Sequence, residues 1–427
     1  MKVAVAGYGV EGKVSYQYWK ELGHEVTIVD ERDLSPYDLP YEAKMILGKN
    51  AFKSLKDFEL VVRTPSLSPH AIRTNGQVWS ATNEFFARCP AKIIGVTGTK
   101  GKGTTSSLIA EILRAAGKKV HLVGNIGVPA LQDLSDISSD DIVIFELSSF
   151  QLWDLEKSPQ IAVVLMVEAD HLDVHKNFPD YIEAKANISK HQSSEALTVY
   201  HPTNDISKQI AQSGQGRAVR YAVPDDGQAY IKESTFFIQN TPLCETKVLQ
   251  LPGVHNLENA CAAISVALMV TDNISAIEKG LSNFSGLPHR LKRVRVVRDV
   301  TYYDDSIATT PGSAMAAVKA FSEPKLLILG GTDKGGNYKE LIELCKSTDT
   351  QVLAIGSNGK TILKLCHKYQ VSSTDLVGKS MEQIVHAAAR LAHPGSVVIL
   401  SPAAASFDMF KSYADRGEQF VRAVEAL

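Results

Sequence analysis

Residues 95–105, GVTGTKGKGTT, combine glycines, lysines and threonines at a spacing suited to cradling phosphates. Gly98, Gly101 and Gly103 let the backbone turn its N–H groups inward, Lys102 adds a point charge, and a helix N-terminus beyond them favours an anion. Thr99 and Lys100 complete the loop. Val96 stands where the strict P-loop pattern has its first glycine, and Gly103 where Ser or Thr would reach magnesium, which leaves Thr104 as the nearest substitute. The alternative is a glycine-rich turn with no ligand. Glu146 ends the apolar run IVIFE, where a charge is costly without a partner. At the carboxyl end of a strand it could serve magnesium as a hard oxygen ligand, or be a salt-bridged or capping residue. Asp170, His171, Asp173 and His175 follow a second apolar run. With no second histidine cluster they do not suit a di-metal hydrolase, and one histidine turned toward a phosphate-bound metal is the more economical reading. Lys185, in DYIEAKANISKH, reads by itself as a solvated helix lysine.

A second glycine motif opens the chain. Gly7, Gly9 and Gly12 follow a first apolar run, and Asp30 ends the next, which is the dinucleotide fingerprint in form. It suits NAD, a different nucleotide, or a Rossmann-like domain whose glycines serve only tight packing. A hydride-transfer enzyme has no use for a second phosphate loop.

These residues need strands and helices to hold them. Up to about residue 150, β-rich runs (VAVAG, EVTIVD, LVVRT, KIIGVTG, KVHLVG, DIVIFEL) alternate with helical stretches, the pattern of parallel α/β units. SSLIAEILRAAG predicts a helix ending at Gly117. The alternation returns in KLLILGG, QVLAIGS and SVVILSP, and a partly antiparallel patch is expected between about 190 and 250, around PDDGQ. At 427 residues the chain suggests about three domains. A net charge of −2 without a long basic block gives a nucleic-acid partner no electrostatic support. Five scattered cysteines without a CxxC pair suit reduced thiols in a cytoplasm. No apolar stretch approaches the ~18 residues of a membrane span.

Taken in order, TGTKGKGTT, GNIGVPA, ELSSFQL, DHLDVH, YIEAK, GVHNLENACAA, GLPHRL, YYDDSIATTPGS, GGTDKGG and SPAAASFDMFKSYADRGEQF resemble the Mur ligases over nearly the whole chain. ELSSFQL and SPAAASFDMFKSYADRG look most like the members that add D-glutamate. The resemblance implies an α/β chain of three domains: a Rossmann-like UDP-binding domain (1–85), a central P-loop-type ATPase with a mainly parallel sheet (86–287) and a Rossmann-like glutamate-binding domain (288–427). It implies a cytoplasmic, monomeric ligase. ATP would phosphorylate the carboxylate of UDP-N-acetylmuramoyl-L-alanine, and the amine of glutamate would attack the acyl phosphate, in peptidoglycan precursor synthesis. Such chemistry needs charge compensation around a phosphoryl group more than a nucleophilic side chain.

Carried over by motif, Lys102 and the loop amides hold phosphates, Thr104 and Glu146 hold magnesium, and His171 serves a second ion. Lys185 matches the lysine that the family carbamylates, which requires a neutral amine that nearby magnesium would favour. Asn256, Asn259, Arg290 and Asp305 match ATP contacts, the last two from the third domain. Asn125, Ser148 and Gln151 match the muramoyl contacts. Val10, Glu11, Asp30, Glu31, Arg32, Thr64 and Pro65 match the uridine end. Thr309, Lys334, Ser406 and Tyr413 match glutamate contacts, although Ser406 could instead cap a helix over FDMFKSYADRGEQF. Three positions depart from the family: Gly103, Met166 where Asn is frequent, and Ile307 where many members hold glutamate with Lys. An L-glutamate-adding ligase, a folylpolyglutamate synthase, an NAD-dependent oxidoreductase and a non-catalytic nucleotide binder are the alternatives.

Overall fold

The computed structural model describes all residues except 36–38, 126, 225, 333 and 334. The chain divides into two compact units, Met1–Leu249 with His255–Phe284, and Gln250–Val254 with Ser285–Leu427.

The first unit contains two parallel sheets. β1 (Lys2–Ala6), β2 (Glu25–Asp30), β3 (Lys44–Leu47), β4 (Leu60–Arg63) and β5 (Gln77–Ser80) lie in the order β3-β2-β1-β4-β5. The apolar runs of β1, β2 and β4 are continuous because both faces are covered. Val3, Val5, Val26, Ile28, Leu60 and Val62 enter one core, while Ala4, Ala6, Val29 and Val61 enter another. The twofold alternation of a strand thus sends neighbouring residues to opposite layers.

The second sheet contains β6 (Lys92–Thr97), β7 (Val120–Gly124), β8 (Ile142–Glu146), β9 (Ile161–Val164), β10 (Leu197–Tyr200) and β11 (Arg217–Arg220), in the order β11-β10-β9-β6-β8-β7. From β6 the chain leaves toward β7 and β8 on one side and returns to β9 on the other. Such a reversal opens a crevice at the carboxyl ends of the strands. Val96 pairs with Glu146 and Thr97 with Val164, so the segments following β6, β8 and β9 emerge side by side. The expected antiparallel patch is β12 (Ala229–Lys232), β13 (Thr235–Ile238) and β14 (Thr241–Glu245), with Tyr230 and Phe237 stacked across strands at 5.4 Å.

The second unit carries β15 (Lys292–Val297), β16 (Val300–Asp304), β17 (Lys325–Leu329), β18 (Thr350–Ala354), β19 (Ser373–Asp375) and β20 (Val397–Leu400), in the order β15-β16-β20-β17-β18-β19. It is parallel apart from the β15–β16 hairpin, whose turn residues Arg298 and Asp299 both have positive φ, as a two-residue hairpin requires. Lys292, Arg293 and Arg295 lie on this edge strand. FDMFKSYADRGEQF is not one helix: the helix is Tyr413–Glu425, and Ser412, rather than Ser406, caps it by accepting from the Asp415 N–H at 3.1 Å. Asp415 in the first turn complements the helix dipole, which favours a start at that point. Among the described residues no helix is long and apolar enough to cross a membrane.

Candidate active site

The phosphate-loop segment leaves β6 and enters the helix Lys102–Ala115, which ends in a turn with Gly117 at φ 77°. Gly98 (φ 151°) and Gly101 (φ 85°) take backbone conformations that suit glycine. A side chain at Gly98 would meet Leu165 at 2.7 Å, and one at Gly101 would meet the Asn259 side-chain oxygen at 2.4 Å. Asn259 therefore lies directly on the loop, and its Nδ2 donates to Asn256 Oδ1 at 3.4 Å. Lys102 folds back on its own loop, donating to the carbonyls of Gly98 (3.1 Å) and Thr99 (3.0 Å). Lys100 is exposed. Burial lowers the pKa of the nearby His255, opposed by Glu258 and assisted by the Lys100 charge. Gly103 and Thr104 are buried in the first turn, and the adjoining Thr105 and Ser106 hydroxyls are buried without a protein partner.

Lys185 is not a solvated helix lysine. It is 1% exposed, donates to Gly98 O (2.9 Å) and Thr97 Oγ1 (3.2 Å), and stands 4.7 Å above the Tyr181 ring. Burial, then the Lys102 charge, push its pKa well below the lysine range, against the pull of Asp170 and Glu146. The neutral amine that the sequence reading ascribed to magnesium is thus already favoured by the protein itself. Tyr181 also meets Thr99 Oγ1 at 3.1 Å. It escaped the sequence reading, although it lies one helical turn before Lys185.

Glu146 is buried at the end of β8 and accepts from Asn125 Nδ2 at 3.2 Å. His171 has φ 53°, a half-exposed side chain 3.6 Å from Asp170, and a ring 5.0 Å from that of Phe150. His175 is buried instead, bonded to Asp180 (2.8 Å) and Ser149 (3.0 Å) and stacked on Phe150, so it joins the loops after β8 and β9. Among the described residues no group of three or more His, Cys, Asp or Glu is arranged to hold a metal. Magnesium asks for less, since it is usually held by one or two protein oxygens plus phosphates and water. Buried Glu146 and Thr104 at the same crevice fit that hard-oxygen chemistry.

Val10, Glu11, Asp30, Glu31, Arg32, Thr64 and Pro65 all line one cleft of about 520 Å³ at the carboxyl edge of the first sheet. Asp30 already accepts from Arg32 Nε (3.0 Å) and Nη2 (2.8 Å) and from the Tyr8 N–H (2.8 Å). Burial would raise its pKa, yet these bonds together hold it below the usual carboxylate range. Burial pushes the Glu11 carboxyl up to about 7, partly offset by Gln151 and Arg63. Ser148 and Gln151 form a reciprocal capping box at the helix Ser149–Leu152, and Gln151 Nε2 reaches Glu11 at 3.2 Å. The residues expected at the two ends of the nucleotide substrate are thus in contact.

The remaining predicted residues belong to the second unit. Arg290 and Thr309 are exposed, Ser406 is buried and Tyr413 is 44% exposed. Asp305 is buried, accepts from the Leu291 N–H (3.0 Å) and Ser401 Oγ (2.7 Å), and has a carboxyl raised by burial to about 7. Ile307 is half-buried. Lys334 lies outside the described residues. The sequence reading also missed Arg416, fully buried beneath two of these loops: it donates to Ser306 Oγ (2.9 Å), Ser306 O (2.8 Å) and Ala404 O (3.0 Å).

Two parallel α/β sheets in the first unit, with the phosphate loop at the strand ends of one, and a largely parallel sheet in the second unit form the frame of the chain. Residues 96–267 match the Mur ligase middle domain and residues 289–404 the Mur ligase glutamate ligase domain. The chain belongs to the Mur ligase family. It is 34% identical to the UDP-N-acetylmuramoylalanine–D-glutamate ligase of Clostridium kluyveri, over 98% of this chain and 95% of that one. In fold it is similar to the UDP-N-acetylmuramate–alanine ligase of Thermotoga maritima (TM-score 0.63, 16% identity, 100% and 99% of the two chains). It also resembles the MurF ligase of Thermotoga maritima, solved in complex with ADP (TM-score 0.57, 19% identity, 99% and 95%).

Proposed function

We propose that this protein is an ATP-dependent ligase that adds D-glutamate to UDP-N-acetylmuramoyl-L-alanine in the making of peptidoglycan precursors. The observation that carries the mechanism is the gathering of the phosphate loop, Glu146, Asn259 and neutral-leaning Lys185 around one crevice. Relatives that bear the D-glutamate name, matched over 95% or more of their length, support the substrate choice. Residues 1–85, 86–287 and 288–427 take UDP, ATP and glutamate in turn.

The substrate carboxylate attacks the γ-phosphorus of ATP, ADP leaves, and the resulting acyl phosphate gives glutamate's amine an electrophilic carbon. Attack forms a tetrahedral intermediate, and the nitrogen gives up a proton to solvent as the intermediate collapses with loss of phosphate. The loop amides and Lys102 hold the phosphates, while Asn256 and Asn259 orient ATP. Bound magnesium would neutralise charge on the transferring phosphoryl group, with Thr104 and Glu146 as its protein oxygens. His171 and a carbamylated Lys185 would hold a second ion. The neutral Lys185 nitrogen bonds to the carbon of carbon dioxide and loses a proton to solvent, so a buried amine becomes an anionic oxygen ligand. The cleft at Val10, Glu11, Asp30, Glu31, Arg32, Thr64 and Pro65 receives UDP, and Asn125, Ser148 and Gln151 face the muramoyl part. Thr309, Lys334, Ser406 and Tyr413 receive glutamate.

Phosphate release with UDP-N-acetylmuramoyl-L-alanine, ATP and magnesium tests the reading, with D-glutamate and L-glutamate in separate reactions. Release with the D form is expected. Release with the L form alone would transfer the assignment to an L-glutamate ligase, with Ile307 as the residue to examine, and no release with either would overturn it.

A further inference from the structure

Arg63 ends β4 at the carboxyl edge of the first sheet and is 1% exposed. A buried guanidinium is expensive unless its donors are satisfied, and this one has a partner for each N–H group. Nε donates to Asp154 Oδ2 at 2.7 Å and Nη2 to Asp154 Oδ1, closing a fork on the carboxylate. Nη2 also donates to the Phe150 carbonyl at 3.0 Å, and Nη1 to the carbonyls of Thr64 (3.4 Å) and Leu67 (3.3 Å). Thr64 and Leu67 are walls of the nucleotide cleft. Phe150 lies in the single helical turn Ser149–Leu152 after β8, with its ring 5.0 Å from His171 and stacked 5.4 Å from His175. Asn83 secures the far side of that turn, donating to Asp154 O at 2.8 Å and accepting from the Glu156 N–H at 2.9 Å. One rigid planar group therefore ties the wall of the first sheet's cleft to the turn against which His171 rests. Lysine has neither the fork nor the number of donors to do this.

We propose that Arg63, with Asp154, is a positioning pair that couples occupancy of the nucleotide cleft to the 150–154 turn and through it to His171. The uridylyl half of the substrate then raises turnover as well as affinity, because remote binding energy orders the reacting end. This rests on the ligase reading given above.

Two measurements test it. In the intact wild-type protein, UDP is expected to slow amide exchange at 64–67 and also at 150–154, the latter by roughly 10-fold. Protection confined to the cleft overturns the coupling while leaving nucleotide binding intact; no protection anywhere overturns nucleotide binding as well. In turnover, the wild-type kcat with UDP-N-acetylmuramoyl-L-alanine is expected to exceed that with 1-phospho-N-acetylmuramoyl-L-alanine, which lacks the uridylyl group, by roughly 10-fold. In Arg63→Lys, and in the milder Asp154→Asn, that kcat ratio is expected to fall toward one while KM for ATP stays within about twofold. A ratio kept in both variants, or already near one in the wild type, overturns the proposal. Absence of wild-type turnover with both substrates would instead count against the ligase reading.

Discussion

The first unit contains two glycine loops of similar spelling, GYGVEG at the end of β1 and GTKGKG at the end of β6, and they use their glycines differently. In the first, a methyl on Gly12 would meet the Gly7 carbonyl at 2.1 Å and one on Gly7 would meet Thr64 Oγ1 at 2.2 Å, whereas Gly9 has open space. Those glycines let the loop pack against its own domain, and Asp30 is occupied by Arg32. In the second, Gly98 and Gly101 turn the loop so that Lys102, Lys185 and Asn259 close on it. A glycine motif therefore reports where the backbone must come close to something, and the neighbouring atoms decide whether that is the protein or a ligand.

The sharpest way to break this contrast is Lys102→Met. We expect kcat for phosphate release to fall about 10³-fold while UDP affinity at the first cleft, read by calorimetry, stays within about twofold. Equal loss of both would mean that the loops act as one. Gly12→Ala is expected to cost ~3 kcal/mol in urea denaturation, since backbone must move, and Gly9→Ala less than about 0.5 kcal/mol. Similar costs would remove the packing account. Lys185→Ala is expected to lower kcat about 10²-fold, with partial rescue by short carboxylic acids. Intact-mass spectra of wild type in bicarbonate should show one added carboxyl group. If acids fail to rescue and no adduct forms, Lys185 acts as an uncharged packing residue.

The smallest expected effect concerns pH. The Glu11 carboxyl, normally near 4.5, is raised to about 7 in the folded protein. Its favourable contribution is complete below the unfolded value and is lost as pH rises through the folded one. Urea stability should therefore decline between about pH 5 and 8, and Glu11→Gln should reduce that decline by about 2 kcal/mol. Asp305 shifts in the same direction and will leave a residual slope in the variant. A decline unchanged by Glu11→Gln would show that Glu11 ionises without penalty.

The strands that carry these loops were legible because buried parallel strands read as unbroken apolar runs; β3, a four-residue exposed edge, was too short to stand out, and β15, broken by charges, offered no such run. Glu146 stood out as a charge ending an apolar strand. Lys185 did not, since its helix is amphipathic and its hydrogen-bond partners, Thr97 and Gly98, lie 88 and 87 residues away in the chain. Its role entered only through the resemblance. Arg63 was silent for the same reason: Asp154 is 91 residues away, and nothing local distinguishes a buried arginine from a surface one. The misplaced helix start near Ser406 arose from reading a continuous apolar and polar alternation through Ser412, where the capping bond stops it.

The borders of the second unit's sheet have a practical consequence. One is β19, only three residues long, and the other is β15, studded with Lys292, Arg293 and Arg295. A free strand invites another chain to extend the sheet, and short or positively charged borders discourage it. The second unit should accordingly tolerate high expression without strand-to-strand clumping, and replacing these cations with valine or threonine would be the quickest route to an insoluble product.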